Sequence, residues 1–142
     1  MAIIGGAGNP VGGSFTGPAE ALEIAGDFAY AYSGEIQQNT VEVDHLSFTS
    51  GNYLFVGQMT FTGPIDITDI PTGSISGCVV KFNGVDLFNL KNDTGSEDMP
   101  TMNVVPLIIP AYTDVVVTVR SAASTADYMT SINLTGRIYR QE

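Results

Sequence analysis

The chain has no tryptophan, one cysteine (Cys78), one histidine (His45) and five basic residues, none of them before Lys81. Each scarcity removes a class of function. A single cysteine excludes an intrachain disulfide, and one His with one Cys cannot supply the four ligands of a structural zinc site. Few and scattered cations on a chain of net charge −10 argue against nucleic acid as a partner, because phosphate binding needs clustered Lys and Arg. The longest apolar run, Val104 to Tyr112, is interrupted by prolines and is far too short to cross a bilayer, so no membrane partner is expected. The opening Met-Ala-Ile-Ile-Gly-Gly has neither a basic n-region nor a long apolar h-region, so no ordinary secretion signal is expected. No Gly-x-Ser-x-Gly elbow accompanies His45, which is read as an ordinary strand residue. The expected protein is not an enzyme.

What is present is strand and turn chemistry. With 142 residues, 44% hydrophobic and 14% charged, the chain can bury a core of its own. Cys78-Val-Val-Lys-Phe-Asn-Gly-Val-Asp-Leu-Phe-Asn-Leu90 places two apolar-alternating runs around Asn83-Gly84, the strongest short-range hairpin signal. Folding there sets Phe82 opposite Val85, Lys81 opposite Asp86, Val80 opposite Leu87 and Val79 opposite Phe88. One face would then carry Cys78, Val80, Phe82, Val85 and Leu87, with Cys78 as a small buried hydrophobe.

Other segments follow the same period. Phe28, Tyr30 and Tyr32 alternate with Ala29, Ala31 and Ser33, giving a strand with one aromatic face. Val41 and Val43 are in one phase and Leu46 and Phe48 in the other, which a bulge near Asp44-His45 reconciles. Tyr53, Phe55, Gly57, Met59 and Phe61 share the face of a strand expected to close at Gly63-Pro64. Pro106 makes Met102–Ile109 an edge or bulged strand. Val115, Val117 and Val119 share a face, and Met129–Tyr139 is the last of roughly eight strands. The expected fold class is all-β, a single jelly-roll or β-sandwich domain.

Residues 1–25 read as an N-terminal arm and 26–142 as the sandwich. Six glycines and two prolines in 5–18 cannot sustain a helix or a central strand. After them, Gly17–Gly26 reads as a short helix, with Pro18 in its first turn and Gly26 as its C′ stop. Gly5–Gly13 lacks the third glycine of a dinucleotide loop and the Gly-Lys-Ser/Thr of a phosphate loop, so it is a glycine arm.

Candidate binding chemistry is sparse. Eight carboxylates precede Lys81 (Glu20, Glu23, Asp27, Glu35, Glu42, Asp44, Asp66, Asp69). Solubility accounts for them; the sharper reading is a negative patch that docks on a basic surface. Asp93–Asp98 and the pair Asp66/Asp69 offer oxygen ligands, but not at EF-hand spacing. Calcium is the one cofactor considered, and a solvated turn is the preferred reading. Asn92-Asp-Thr94 and Asn133-Leu-Thr135 match glycosylation sequons, taken as chance without a secretory route. Phe28, Tyr30, Tyr32, Tyr53 and Phe55 invite a carbohydrate platform, with core or subunit-interface packing preferred.

Gly51-Asn-Tyr53-Leu-Phe55, Asn83-Gly84, Asp114-Val-Val116 and Leu134-Thr-Gly-Arg-Ile-Tyr139, in that order, resemble the C1q/TNF-type jelly roll. Thr113 stands where that family has glycine, and the final Gly-to-Tyr spacing is one residue short. The resemblance implies a compact trimer with apolar and aromatic residues around a threefold axis. The opening Met1–Gly17, Ile109-Pro-Ala-Tyr-Thr-Asp114 and the same Leu134–Tyr139 ending also resemble small virion proteins of marine tailed phages. That resemblance implies a decoration (cement) protein on the outer capsid surface, partnered by itself and by the major capsid protein or another virion protein, or else a fibre or filament subunit. The residues expected at such an interface are Phe15, Leu22, Ile24, Tyr30, Tyr32, Tyr53, Phe55 and Tyr139. A carbohydrate- or ligand-binding sandwich is the competing class.

Overall fold

A computed structural model describes residues 17–37, 41–66, 75–93, 102–121 and 128–140. These residues form ten strands: β1 (Glu23–Ala25), β2 (Phe28–Tyr32), β3 (Ile36–Gln37), β4 (Val43–Thr49), β5 (Tyr53–Asp66), β6 (Ile75–Phe82), β7 (Val85–Asp93), β8 (Met102–Ile109), β9 (Asp114–Ser121) and β10 (Tyr128–Arg140). A six-stranded antiparallel sheet runs β1-β2-β10-β5-β8, with β3 also on β10; a four-stranded sheet runs β4-β9-β6-β7. The two form a β-sandwich of jelly-roll type.

The core lies between the sheets. From the six-stranded sheet come Phe55, Met59, Phe61, Ile109, Ile132 and Leu134; the four-stranded sheet contributes Leu46, Cys78, Val80, Val115, Val117 and Val119. The inward phases of β5 and β9 are those read from the sequence. Burial pushes the Cys78 thiol up to about 12, so it behaves as a hydrophobe. Gly57 and Gly136 face each other across β5 and β10. A Cβ on either would come within 2.6 Å of the other's Cα and 2.7 Å of Phe55 Cζ, so the Phe55 ring occupies the space that two side chains would take.

Three irregularities set which residues face inward. His45 is an extra residue in β4, because Asp44 pairs with Thr118 and Leu46 with Val117. This is the bulge expected from the change of apolar phase. In β7, Leu87 is extra, because Lys81 pairs with Asp86 but Val80 with Phe88. The hairpin register therefore holds for its first two pairs and then shifts. Phe88 and Leu90 turn to the core, while Val85 and Leu87 are exposed. In β5, Gly63-Pro64 lies opposite the single residue Thr130. The strand passes through this bulge to Asp66 instead of closing there, since a bulge tolerates a proline.

The turns are built by positive φ. Asn83 (φ 53°) and Gly84 (φ 80°) form a type I′ pair. Asn83 N–H donates to the Asp114 carbonyl and Asp114 N–H to Asn83 Oδ1, each at 2.8 Å, which pins the tip to β9. Gly26 (φ 64°) opens the β1–β2 turn. No helix exists among the described residues of 17–26, which corrects the expected one. A C′ stop and a hairpin turn both need a glycine at positive φ, so Gly26 could not separate them. Main-chain pairing decides: Ala19 N–H donates to the His45 carbonyl at 3.0 Å and Ser47 N–H to the Ala19 carbonyl at 2.9 Å, laying the segment along the edge of β4.

Candidate assembly interface

The sandwich has two outer faces, and register with burial fixes which side chains each presents. On the four-stranded sheet the outward positions include Asp44, Lys81, Asp86, Lys91, Asp114 and Arg120, interspersed with Ser47, Val79, Asn89 and Val116. Lys81 Nζ lies 3.2 Å from Glu42 Oε2 and directly opposite Asp86. This face carries charges of both signs, although Thr118, opposite Asp44, is buried.

On the six-stranded sheet the outward positions are Met102, Val104, Pro106 and Ile108 on β8, then Leu54, Val56, Gln58 and Thr60 on β5. Asn133, Thr135, Arg137 and Tyr139 follow on β10, Phe28, Tyr30 and Tyr32 on β2, and Glu23 on β1. Met102 is 60% exposed, Val104 50%, Ile108 60% and Phe28 58%. Among the described residues Arg137 is the single exposed charge on these strands' outward positions. Its Cζ lies 5.5 Å from the centre of the Phe28 ring, and its guanidinium 3.8 Å from the exposed Asp27 carboxylate. Glu23 is buried with Oε1 unpartnered among the described residues, and burial pushes its carboxyl up. The face spans about 19 Å across five strands and about 27 Å from Leu54 to Thr62, roughly 500 Å2 in projection. That is of the order of one side of a standard protein interface, about 800 Å2 of accessible surface.

The expected interface residues divide. Tyr30, Tyr32 and Tyr139 stand on this outer face, with the Tyr30 and Tyr32 rings 4.9 Å apart. Phe55 and Leu22 are core residues of the same chain, because β5 turns its odd-numbered residues inward and the 17–22 segment buries Leu22 against the sandwich. Tyr53 also points to the inner side, under the Arg140 guanidinium, and with Ile24 lines a shallow recess at one end of the sandwich. Phe15 lies outside the described residues. Not among the expected interface residues are Met102, Val104 and Ile108, while Phe28 enters only with the aromatic platform. The signal was there: Met102–Ile109 is apolar in both phases, whereas a strand with one solvated face alternates.

His45 sits inside the sandwich. Its ring is buried, its Nδ1 is 3.0 Å from the Val43 carbonyl, and its Nε2 is 2.8 Å from Thr130 Oγ1. Among the described residues no three His, Cys, Asp or Glu side chains are grouped to hold a metal. Asp69 and residues 94–98 lie outside the described residues, as do the side-chain positions of Asp66 and Asp93.

No family model matches the sequence, and no curated protein does. Among solved structures, a chain from the structure of infectious bursal disease virus Gt strain is similar, with 13% identity and a TM-score of 0.37. The match covers 85% of this chain and 37% of that viral chain.

Proposed function

We propose that this chain is a non-enzymatic viral structural protein that self-associates through the outer face of its six-stranded sheet and decorates a capsid. The observation that carries the reading is the distribution of charge. A body of net charge −10 repels its own copies wherever carboxylates meet, and like-charge juxtaposition costs several kcal/mol. One outer face bears a single exposed charge and a row of exposed Met, Val, Ile, Phe and Tyr. Such a face suits a second acidic copy better than a basic partner, which carboxylates would attract. The trimer is the form implied by the C1q/TNF resemblance, and the phage-capsid location by the virion-protein resemblance.

Sedimentation velocity of the purified protein tests the first half. A discrete oligomer, expected as a trimer, supports the reading; a monomer at tens of micromolar removes it. Capsid docking is assigned to the glycine-rich arm. A chain lacking residues 1–16, which keeps the Gly17 carbonyl that accepts the 2.9 Å bond from Gly34 N–H, should oligomerise but not bind particles. Unchanged particle binding would remove the arm from the mechanism.

The alternate outward rings of Phe28, Tyr30 and Tyr32 favour one second reading, a carbohydrate platform. A glycan array with added Ca2+ tests it. Specific binding at millimolar concentration or better, lost in Tyr30→Ala, would displace the assembly reading of this face.

A further inference from the structure

Two sheet irregularities meet inside the sandwich. His45 is the extra residue of the β4 bulge; Thr130 is the β10 residue facing the Gly63-Pro64 bulge. They belong to different sheets, are at most 1% exposed, and are joined by the 2.8 Å contact between Nε2 and Oγ1. The Val43 carbonyl can only accept, so Nδ1 carries the proton and the Thr130 hydroxyl donates to Nε2. The same bulge turns the His45 carbonyl to the 17–22 segment, where it accepts from Ala19 N–H. Few main-chain bonds hold that segment: Ala19 to His45, Ser47 to Ala19 and Gly34 to Gly17. One residue thus tethers the segment with its carbonyl and bridges the sheets with its ring.

We infer that this bulge is an acid-sensitive latch: protonation of His45 releases residues 17–22 from the edge of β4 while both sheets remain folded. A proton on Nε2 makes both ring nitrogens donors and reverses the bond to Thr130, whose hydroxyl must turn to accept and find another acceptor for its own proton. The new charge is compensated in part by Val43, Thr130 and Asp44, but by less than burial costs it. Across the bulge β9 presents Val117 and Thr118, β10 presents Thr130 and the segment presents Ala19. Asp44, exposed and adjacent in β4, is the one charge acting on the ring, and Glu20 beside Ala19 is exposed. Desolvation is the larger effect and holds the imidazole below 6.5, against the Val43 and Thr130 hydrogen bonds and Asp44. The charged ring is relieved by water, and the 17–22 segment, bonded to the carbonyl of the same residue, is the lightly held element at the bulge. Release would also lengthen the tether to residues 1–16.

The sign follows from linkage. A ring whose pKa is lower when closed favours the closed state above about 6.5. Below that, the opening constant rises up to tenfold per pH unit until the closed-state value is reached. Glu23 has the opposite sign: its raised carboxyl pKa makes acid favour the folded form.

Hydrogen exchange of the full chain between pH 7.5 and 4.5, corrected for intrinsic rates, tests the latch. Protection at the Ala19 and Ser47 amides should fall up to tenfold per pH unit while Val117 and Leu134 keep theirs. The fall should disappear in His45→Gln and persist in Thr130→Ser, which keeps the hydroxyl. Should His45→Gln not fold, imidazole nitrogen shifts of the unmodified protein should show the ring titrating together with the loss at Ala19. Protection at Ala19 that ignores pH, that falls in step with Val117, or that behaves identically in His45→Gln would overturn the latch. None of these readouts depends on self-association.

Discussion

The two outer faces of this sandwich are built on the same strand geometry and differ in almost everything else. The four-stranded face carries acids and bases in alternation, with Lys81 held between Glu42 and Asp86. The six-stranded face carries one exposed guanidinium among apolar and uncharged side chains. A chain with 15 carboxylates does not leave 500-odd square ångströms nearly free of them by composition alone. The contrast teaches that net charge is a poor guide to what a protein binds; where the charge is missing is the better one.

The largest effect should come from the glycines. Gly136→Ala in the six-stranded sheet meets Gly57 Cα and the Phe55 ring and should cost about 3 kcal/mol or more. Gly77→Ala in the four-stranded sheet meets nothing closer than the Arg120 carbonyl at 3.8 Å. It should be neutral or stabilise by up to about 1 kcal/mol, since glycine weakens a strand interior. Urea midpoints of the two variants compare the sheets directly, and similar shifts would show that the close approach of β5 and β10 is not limiting.

Next is the face itself. If the proposed self-association holds, Val104→Glu with Ile108→Glu should raise its dissociation constant by roughly thirty-fold or more, about 2 kcal/mol. Val79→Glu on the opposite face should leave it unchanged by sedimentation. Equal sensitivity of both faces would end the distinction.

The turns should not differ. Gly26→Ala puts a Cβ at φ 64°, and Asn83→Ala at φ 53° gives up asparagine's tolerance of that region and the Oδ1 that accepts from Asp114 N–H; each should cost about 1–2 kcal/mol in thermal melts. A much larger cost at one tip would mean that the hairpins, not the faces, distinguish the sheets.

The smallest effect belongs to Glu23, the one carboxylate on the uncharged face. Its folded pKa lies above 4.5, so its contribution is fully present below pH 4.5 and is lost as pH rises through the folded value. Glu23→Gln should therefore raise the melting temperature slightly at pH 7 and not at pH 4. A loss at pH 7 would show that the ionised carboxylate has a partner.

Much of the frame was legible because the period of two is strict in β5 and β9 and because Asn-Gly demands a I′ turn. The bulge at His45 was legible for the same reason: Val43 and Leu46 cannot share a face without an extra residue. The bulge at Leu87 was not, since Val85, Leu87, Phe88 and Leu90 are apolar in both phases and leave either register open. The helix over 17–26 failed because its apparent signals, Pro18 and Gly26, serve a main-chain bridge and a hairpin equally well. The apolar outer face was legible only in part. Aromatic rings drew attention to β2 and β5, whereas the most exposed apolar row lies on β8 and announced itself through an edge-strand proline.

β10 pairs with β2, β3 and β5 and so occupies the middle of the larger sheet, yet it is the last of the ten strands to be synthesised. Until it leaves the ribosome, β1–β2 and β5–β8 can exist only as separate ribbons with bare apolar sides. The smaller sheet, complete once β9 has emerged, must wait for a partner. The larger sheet therefore closes only when β10 is added, and a chain cut within β10 should leave two apolar ribbons that aggregate rather than a smaller domain.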